Sequence, residues 1–217
     1  MPVSPREPAG PQVAIVGLVA VFLMVELPLV YVVPRTNSAL LIGLYSGLFL
    51  LYFALIRLAH PRRDHWLILG AAIVFRLVLV GAVPNLSDDF YRFIWDGYHS
   101  QWGLDPFTIL PAESFGTLSP ERASLVEHAF ENMNSQGYYT VYPPLLQCIF
   151  RLAAWVAPES WRLQIAIMKL FILAAEVGSI WLLCRLAKDR YHWAVWLYAL
   201  NPLVIVELTG ALHFEAL

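Results

Sequence analysis

Long apolar stretches alternate with shorter polar segments along most of the chain. They cover residues 13–33, 39–58 and 66–83 in the first part of the chain and residues 163–187 and 192–210 in the last part. Each stretch is close to the roughly 20 residues that a helix needs to cross about 30 Å of hydrocarbon. The pattern predicts five membrane-spanning helices in one all-α, polytopic membrane domain.

A further apolar stretch, residues 142–157, does not fit this pattern. It contains 16 residues, begins at Pro143-Pro144 and carries Arg151 near its middle. As a helix it is about 24 Å long, and a central Arg costs ~2.5–3.5 kcal/mol on insertion scales. We predict a re-entrant or short interfacial helix. The alternative is that this stretch also spans the membrane.

The positions of the basic residues predict the orientation of the chain. Residues 57–64 form a compact basic turn, and residues 185–190 form a second basic cluster. Because cytoplasmic loops carry an excess of Lys and Arg, both are expected in the cytoplasm. By alternation the N-terminus is also cytoplasmic, whereas the turn at residues 34–37 and the loop at residues 84–140 lie outside. A sixth crossing at residues 142–157 would place the second basic cluster outside.

The composition supports membrane insertion and says little about partners. Apolar residues make up 59% of the chain and charged residues 14%, whereas soluble proteins are nearer half apolar and a quarter charged. The loop at residues 84–140 holds eight of the 16 acids but two of the 14 Lys and Arg residues, so nucleic acid is not an expected partner. The spacing of Cys148 and Cys184 does not suggest a metal site.

The end of the chain bears on its completeness. The sequence stops at Leu217, directly after the last predicted span and without a polar tail. We expect residues 1–217 to be a single transmembrane domain that is a fragment of a longer protein.

An acidic pair opens the outer loop. Asp88 and Asp89 begin a helix predicted over residues 88–102, where the helix dipole favours acids in the first turn. Helical spacing places Asp88, Arg92 and Asp96 on one face, and aromatic residues fill much of the remainder. Such a helix is expected to lie along the membrane surface.

Three roles are open for Asp88 and Asp89. They could simply cap the helix. A carboxylate at the boundary between lipid and water could instead act as a general base toward an acceptor hydroxyl. Paired carboxylates could also hold a divalent cation such as Mg²⁺ or Ca²⁺.

Other polar residues are expected near this pair. Tyr142 precedes the Pro143-Pro144 step, where it could anchor a proline-initiated helix or shape a cleft. His213 and Glu215 follow the last span and emerge on the same predicted face as Asp88, either as solvated residues or as part of a shared site. Charged residues within the spans should face protein or water rather than lipid: Glu26, Arg76, Lys169, Glu176 and Glu207.

Taken in order, several segments resemble bacterial polyprenol-phosphate-dependent mannosyltransferases of the GT-C superfamily. The spacing from Lys169 to Glu176 is also similar to that in the catalytic mannosyltransferase of GPI-anchor assembly, a more distant relative. The resemblance covers roughly residues 66–217 and identifies an N-terminal part. The segments that carry it are residues 87–97, 103–107, 141–145, 201–203 and 210–217.

The resemblance implies a GT-C-type helix bundle that transfers a hexose, mannose in this group, with inversion. The donor would be a polyprenyl-phosphate sugar and the acceptor a glycan or glycolipid hydroxyl, on the outer face of the bacterial plasma membrane. The catalytic base would be an acid of the first outer loop: Asp88 matches the leading acid, whereas the adjacent Asp89 departs from the separated acids of the GPI enzyme. No cofactor is implied. The residues expected to bind substrate are Arg92, Asp96, Tyr142, His213 and Glu215.

Two other functions remain open at this point. Charged residues within spans could line the path of a transporter or channel. An inactive relative could bind a lipid-linked sugar as a scaffold.

Overall fold

The computed structural model describes residues 10–187 and 192–216, which form an all-α membrane bundle without a strand in those ranges. The first nine residues, residues 188–190 of the second basic cluster and Leu217 lie outside the described residues. In chain order the helices are α1 Gly10–Tyr31, α2 Ser38–Leu58, α3 His65–Leu77, α4 Asp89–Gln101, α5 Pro111–Phe115, α6 Pro120–Asn132, α7 Pro144–Val156, α8 Trp161–Ala187 and α9 His192–Ala199. A π-helix, Val204–Gly210, and a 3-10 turn, Phe214–Ala216, follow.

Among the residues that the structure describes, three helices are long and apolar enough to cross a membrane, namely α1, α2 and α8. The two other predicted spans are not continuous helices. The predicted span at residues 66–83 is helical only to Leu77, after which residues 79–82 form tight backbone turns. The predicted span at residues 192–210 consists of α9 and the π-helix, bent by 48°. Pro202 lacks an N–H group at this bend, and the Asn201 side chain accepts a hydrogen bond from the Leu203 N–H group at 3.0 Å.

Buried charges join α3, α8 and the π-helix. The Arg76 guanidinium lies 2.8 Å from the Glu176 carboxylate, and both side chains are fully buried. Arg76 also donates to the carbonyls of Ala72 and Ala199, and the Thr209 hydroxyl donates to Glu176 at 2.6 Å. Because removing one partner of a buried pair typically costs ~3–5 kcal/mol, this network fixes the relative positions of the three elements.

Helix α7 packs along α4. Phe93 of α4 stacks on Phe150 of α7 with ring centroids 4.7 Å apart, and Tyr142, just before α7, contacts the same ring of Phe93. At the other end of α7 the Tyr98 hydroxyl of α4 donates to the Pro158 carbonyl. With 13 residues, α7 is about 20 Å long. Both of its ends therefore lie beside α4.

Helix α4 is covered by other helices of the predicted outer loop and by α7. Nine of its 13 residues are buried, because α6 and α7 both pack against it. Its aromatic residues pack on other rings, as Trp95 does on Phe130 at 5.4 Å. The helix forms the centre of a compact layer made by the predicted outer loop.

A glycine permits the close approach of α4 and α7. A Cβ atom added at Gly97 would lie 2.5 Å from the Phe150 carbonyl oxygen, well inside van der Waals contact. We expect Gly97→Ala to lower the free energy of unfolding by about 1–3 kcal/mol, the usual cost of overpacking. Denaturation in detergent, followed by circular dichroism, would measure the change.

Gly178→Ala provides a matched control, because an added Cβ at this α8 glycine has nothing within 4 Å. Alanine favours a helix over glycine by roughly 1 kcal/mol, so this variant should be neutral or slightly more stable. An equal loss of stability in both variants would contradict the proposed role of the close contact.

Candidate active site

A cavity of about 290 Å³ opens where α4, the segment before α7 and the chain after the π-helix meet. Its volume is close to the lower end of the ~300–1,000 Å³ range of small-molecule sites. Two larger hollows, one on α2 and one between α1 and α3, are lined mostly by apolar side chains that are expected to face lipid. The residues that line the polar cavity are Asp89, Phe93, Tyr142, Pro143, Leu146, His213, Phe214 and Glu215.

Aromatic rings form the apolar side of this cavity. The ring of Phe93 meets that of Tyr142 edge-on at 4.8 Å and that of Phe214 edge-on at 5.5 Å. Phe150 supports the group from beneath, stacked on Phe93. Because these rings come from three separate segments, their packing fixes the cavity walls relative to one another.

Four residues predicted from the sequence come together in this cavity: Asp89, Tyr142, His213 and Glu215. Asp89 is the first residue of α4, and His213 and Glu215 belong to the segment after the π-helix. Burial raises the pKa of the Tyr142 hydroxyl, and the carboxylates of Asp89, Asp96 and Glu215 raise it further. The Tyr142 hydroxyl therefore remains protonated near neutral pH and can donate a hydrogen bond into the cavity.

The segment of the cavity wall that follows the π-helix contains a strained backbone position. Leu212 is buried and has φ of 63°, a left-handed conformation that is costly for a residue with a branched side chain. The next N–H group, that of His213, donates to the Leu208 carbonyl at 3.1 Å. The His213 ring nitrogen Nδ1 lies 3.5 Å from the Glu207 carboxylate, which also accepts a hydrogen bond from Tyr45. Glu207 thereby places a carboxylate beside the imidazole.

The two adjacent acids have different surroundings. Asp89 lines the cavity, whereas the Asp88 carboxylate lies 2.5 Å from the Arg35 guanidinium. Asp88 occupies the N-cap position of α4 but its side chain makes no capping bond there. Within residues 10–187 and 192–216, no group of three or more His, Cys, Asp or Glu side chains is arranged to hold a metal ion.

Arg35 was not among the residues predicted from the sequence. It lies in the turn between α1 and α2, and its side chain is 54% exposed beside the acid pair. A signal for it was present, because an Arg in a turn predicted to lie outside departs from the usual bias of basic residues toward the cytoplasm.

Arg92 and Asp96 are buried and do not line the cavity. Arg92 lies 2.7 Å from Asp96 and also donates to the carbonyls of Ser135 and Tyr138. Asp96 accepts a further bond from Gln147 of α7 at 3.0 Å. These contacts hold the segment that carries Tyr142 against α4. The pair therefore positions a wall of the cavity without lining it.

His99 is a titratable group near the centre of the same layer. Burial, together with the nearby cations of Arg92 and Arg122, lowers its pKa to about 4. Its Nε2 atom lies 2.7 Å from the Ser114 hydroxyl. His99 is therefore neutral near pH 7 and joins α5 to α4.

Comparison with known proteins identifies relatives of this chain. A family model described as alpha-(1->6)-mannopyranosyltransferase, N-terminal domain, matches residues 13–217. The chain is 26% identical over 142 residues to alpha-(1->6)-mannopyranosyltransferase A of Corynebacterium glutamicum, a match that covers 64% of this chain and 27% of that protein. It is 29% identical over 150 residues to an alpha-(1->6)-mannopyranosyltransferase of Mycobacterium tuberculosis, covering 66% of this chain and 24% of that protein.

A second Mycobacterium tuberculosis protein, alpha-(1->6)-mannopyranosyltransferase A, is 22% identical over 155 residues, covering 68% of this chain and 28% of that protein. The chain thus spans about a quarter of the length of the curated relatives it matches. No solved structure shows a significant match. The resemblance to the N-terminal part of a bacterial mannosyltransferase is confirmed. Because the matched residues cover nearly the whole chain, the chain belongs to the alpha-(1->6)-mannopyranosyltransferase family, whose N-terminal domain it carries.

Proposed function

We propose that this chain forms the catalytic end of a membrane mannosyltransferase that uses a polyprenyl-phosphate mannose donor. The observation that carries the proposal is the cavity in which Asp89, Tyr142, His213 and Glu215 meet beside a hydrophobic bundle. A site with polar side chains at the end of apolar helices suits a donor with a lipid tail and a water-soluble sugar. The relatives' names support mannose as the transferred sugar.

The reaction would be a single displacement at C1 of mannose. An acceptor hydroxyl oxygen bonds to C1 while the bond from C1 to the phosphate oxygen breaks, which inverts the configuration. The acceptor proton passes to a carboxylate of the Asp88–Asp89 pair, and polyprenyl phosphate leaves as an anion that needs no general acid. Asp89 is the member of the pair that lines the cavity, which supports its carboxylate as the base.

Arg35 and Asp88 would serve the donor phosphate. A guanidinium binds phosphate oxygens through a planar pair of N–H donors, and that of Arg35 is partly exposed next to the acid pair. Asp88 would hold this guanidinium in place before the donor arrives. The charge of Arg35 would then stabilise the phosphate that departs.

The arrangement gives less support to a transporter. Arg76 and Glu176 are buried and bonded to each other, and Lys169 donates to backbone carbonyls. Charges satisfied in this way stabilise the bundle and do not line an open path. We further propose that the cavity faces the outer side of the bacterial plasma membrane, as the positions of the basic residues predict.

The central test is transfer by acid-pair variants. Membranes containing the protein would be incubated with radiolabelled polyprenyl-phosphate mannose and a mannoside acceptor. We expect Asp89→Asn to lower kcat by ~10²–10⁴, the usual contribution of a general base. Glu131→Gln, at an exposed position of α6 in the same loop, should retain wild-type activity.

Asp88→Asn separates the roles of the two acids. If Asp88 only orients Arg35, its loss should raise the donor KM more than it lowers kcat. Loss of kcat in Asp88→Asn with normal turnover by Asp89→Asn would move the base to Asp88. Normal turnover by the Asp88→Asn, Asp89→Asn double variant would remove the acid pair from the mechanism. If the wild-type protein binds the lipid-linked sugar but does not transfer it, the result would favour a scaffold.

Arg35→Gln tests recognition of the donor phosphate. Losing a charge-assisted hydrogen bond worth ~1.5–3 kcal/mol should raise the donor KM by roughly ten- to 100-fold while the acceptor KM changes little. Arg122→Gln removes an equally positive side chain whose guanidinium lies over the Trp102 ring, away from the cavity, and serves as the control. Equal effects on the donor KM in both variants would show that only overall charge matters.

A further inference from the structure

Lys169 lies within the long helix α8 and is fully buried. Its Nζ atom donates to the Leu79 carbonyl at 3.0 Å, the Ala82 carbonyl at 2.8 Å and the Gly210 carbonyl at 2.8 Å. An ammonium group has three N–H donors, and here all three bond to backbone oxygens. No carboxylate pairs with this charge in the contacts of the described residues.

The three carbonyls belong to the two chain segments that lead into the cavity walls. Leu79 and Ala82 lie in the turns after α3, and Asp89 follows seven residues after Ala82. Gly210 is the last residue of the π-helix, and His213 follows three residues later. One ammonium group therefore joins the chain that leads to the Asp89 wall to the chain that leads to the His213–Glu215 wall.

These segments need such a bond because neither reaches the cavity as a continuous α-helix. Where α3 and the π-helix end, carbonyl groups lack the partners that a continuing helix would supply. In an apolar bundle an unbonded carbonyl is costly, and the negative end of a helix dipole favours a cation. Lys169 satisfies both helix ends at once, which couples their positions.

A second buried network joins the same elements of the bundle at another place. Glu176 lies two turns farther along α8 and joins Arg76 of α3 to Thr209 of the π-helix. The same elements are thus already joined away from the cavity. The Lys169 contacts add bonds to the segments that lead directly into the two cavity walls.

We propose that Lys169 is a positioning residue that sets the separation between the Asp89 wall and the His213–Glu215 wall. Its effect on turnover rests on the proposed transferase function, whereas its effect on the separation of the walls does not. Lys169→Met keeps the apolar side-chain stem and removes all three donors. Lys169→Arg keeps a cation with donors and should partly restore what Lys169→Met loses.

The separation can be measured directly without turnover. Spin labels would be attached at Ser87→Cys and Ala216→Cys, with Cys148 and Cys184 replaced by Ser, and distances recorded by pulsed electron paramagnetic resonance. We expect a shifted or broadened distance distribution in Lys169→Met and recovery toward wild type in Lys169→Arg. An unchanged distribution in Lys169→Met would overturn the proposal.

Glu176→Gln is the matched control, because it removes a buried charge from the same helix. Its amide oxygen can still accept a hydrogen bond from Arg76, and its amide nitrogen can still bond to the Thr209 hydroxyl. It should change the distance distribution less than Lys169→Met does, because the three Lys169 bonds to the segments that lead into the cavity walls remain. A shift as large as that in Lys169→Met would overturn the proposal in favour of general loosening. If Lys169→Met does not fold, Lys169→Gln takes its place. Its amide has two N–H donors and can serve at most two of the three carbonyls.

Turnover provides the second measurement. Misplacing reacting groups by about 1 Å can cost on the order of 100-fold in rate, so Lys169→Met should lower kcat at least ten-fold with a smaller change in the donor KM. A shifted distance with full turnover would overturn the catalytic part of the proposal. A shifted distance in a protein whose wild type transfers no mannose would instead refute the proposed function and leave the structural role of Lys169 intact.

Discussion

Buried charge in an apolar bundle is the constraint on which this structure depends. A charged side chain within a membrane-spanning helix must find its partners inside the protein, since lipid offers none. Here Arg76 pairs with Glu176, and Lys169 bonds to backbone carbonyls of two other segments. Because such bonds hold only at close range and correct direction, they fix α3, α8 and the π-helix relative to one another. The polar layer is built on this base.

The second level of organisation is the layer formed by the predicted outer loop. Gly97 lets α4 and α7 approach until backbone and ring contacts join them, and the buried Arg92–Asp96 pair holds the segment with Tyr142 in place. The loop is therefore a packed unit with its own aromatic core. The cavity lies where this unit meets the end of the bundle, which is a suitable place for a substrate with a lipid and a sugar part.

Several features of the site followed from sequence patterns because they depend on neighbours close in the chain. The acidic pair at the start of a helix, Tyr142 before a proline step, and His213 with Glu215 after a span were all found in this way, and four of these residues share one cavity. Helical spacing predicted that Arg92 and Asp96 share one face of the helix. It does not show which neighbour covers that face, and here the pair is buried.

The amino-acid sequence by itself determined that this is a helical membrane protein and which polar residues are candidates for chemistry, because hydrophobic length and local motifs are properties of contiguous residues. Tertiary structure decided what depends on distant contacts. Asp88 and Asp89 are adjacent and chemically identical, and only their surroundings, Arg35 for one and the cavity for the other, distinguish them. Likewise the pattern around Lys169 indicates a buried charge, but its bonds to Leu79, Ala82 and Gly210 exist only because folding brings helix ends far apart in the chain to one point.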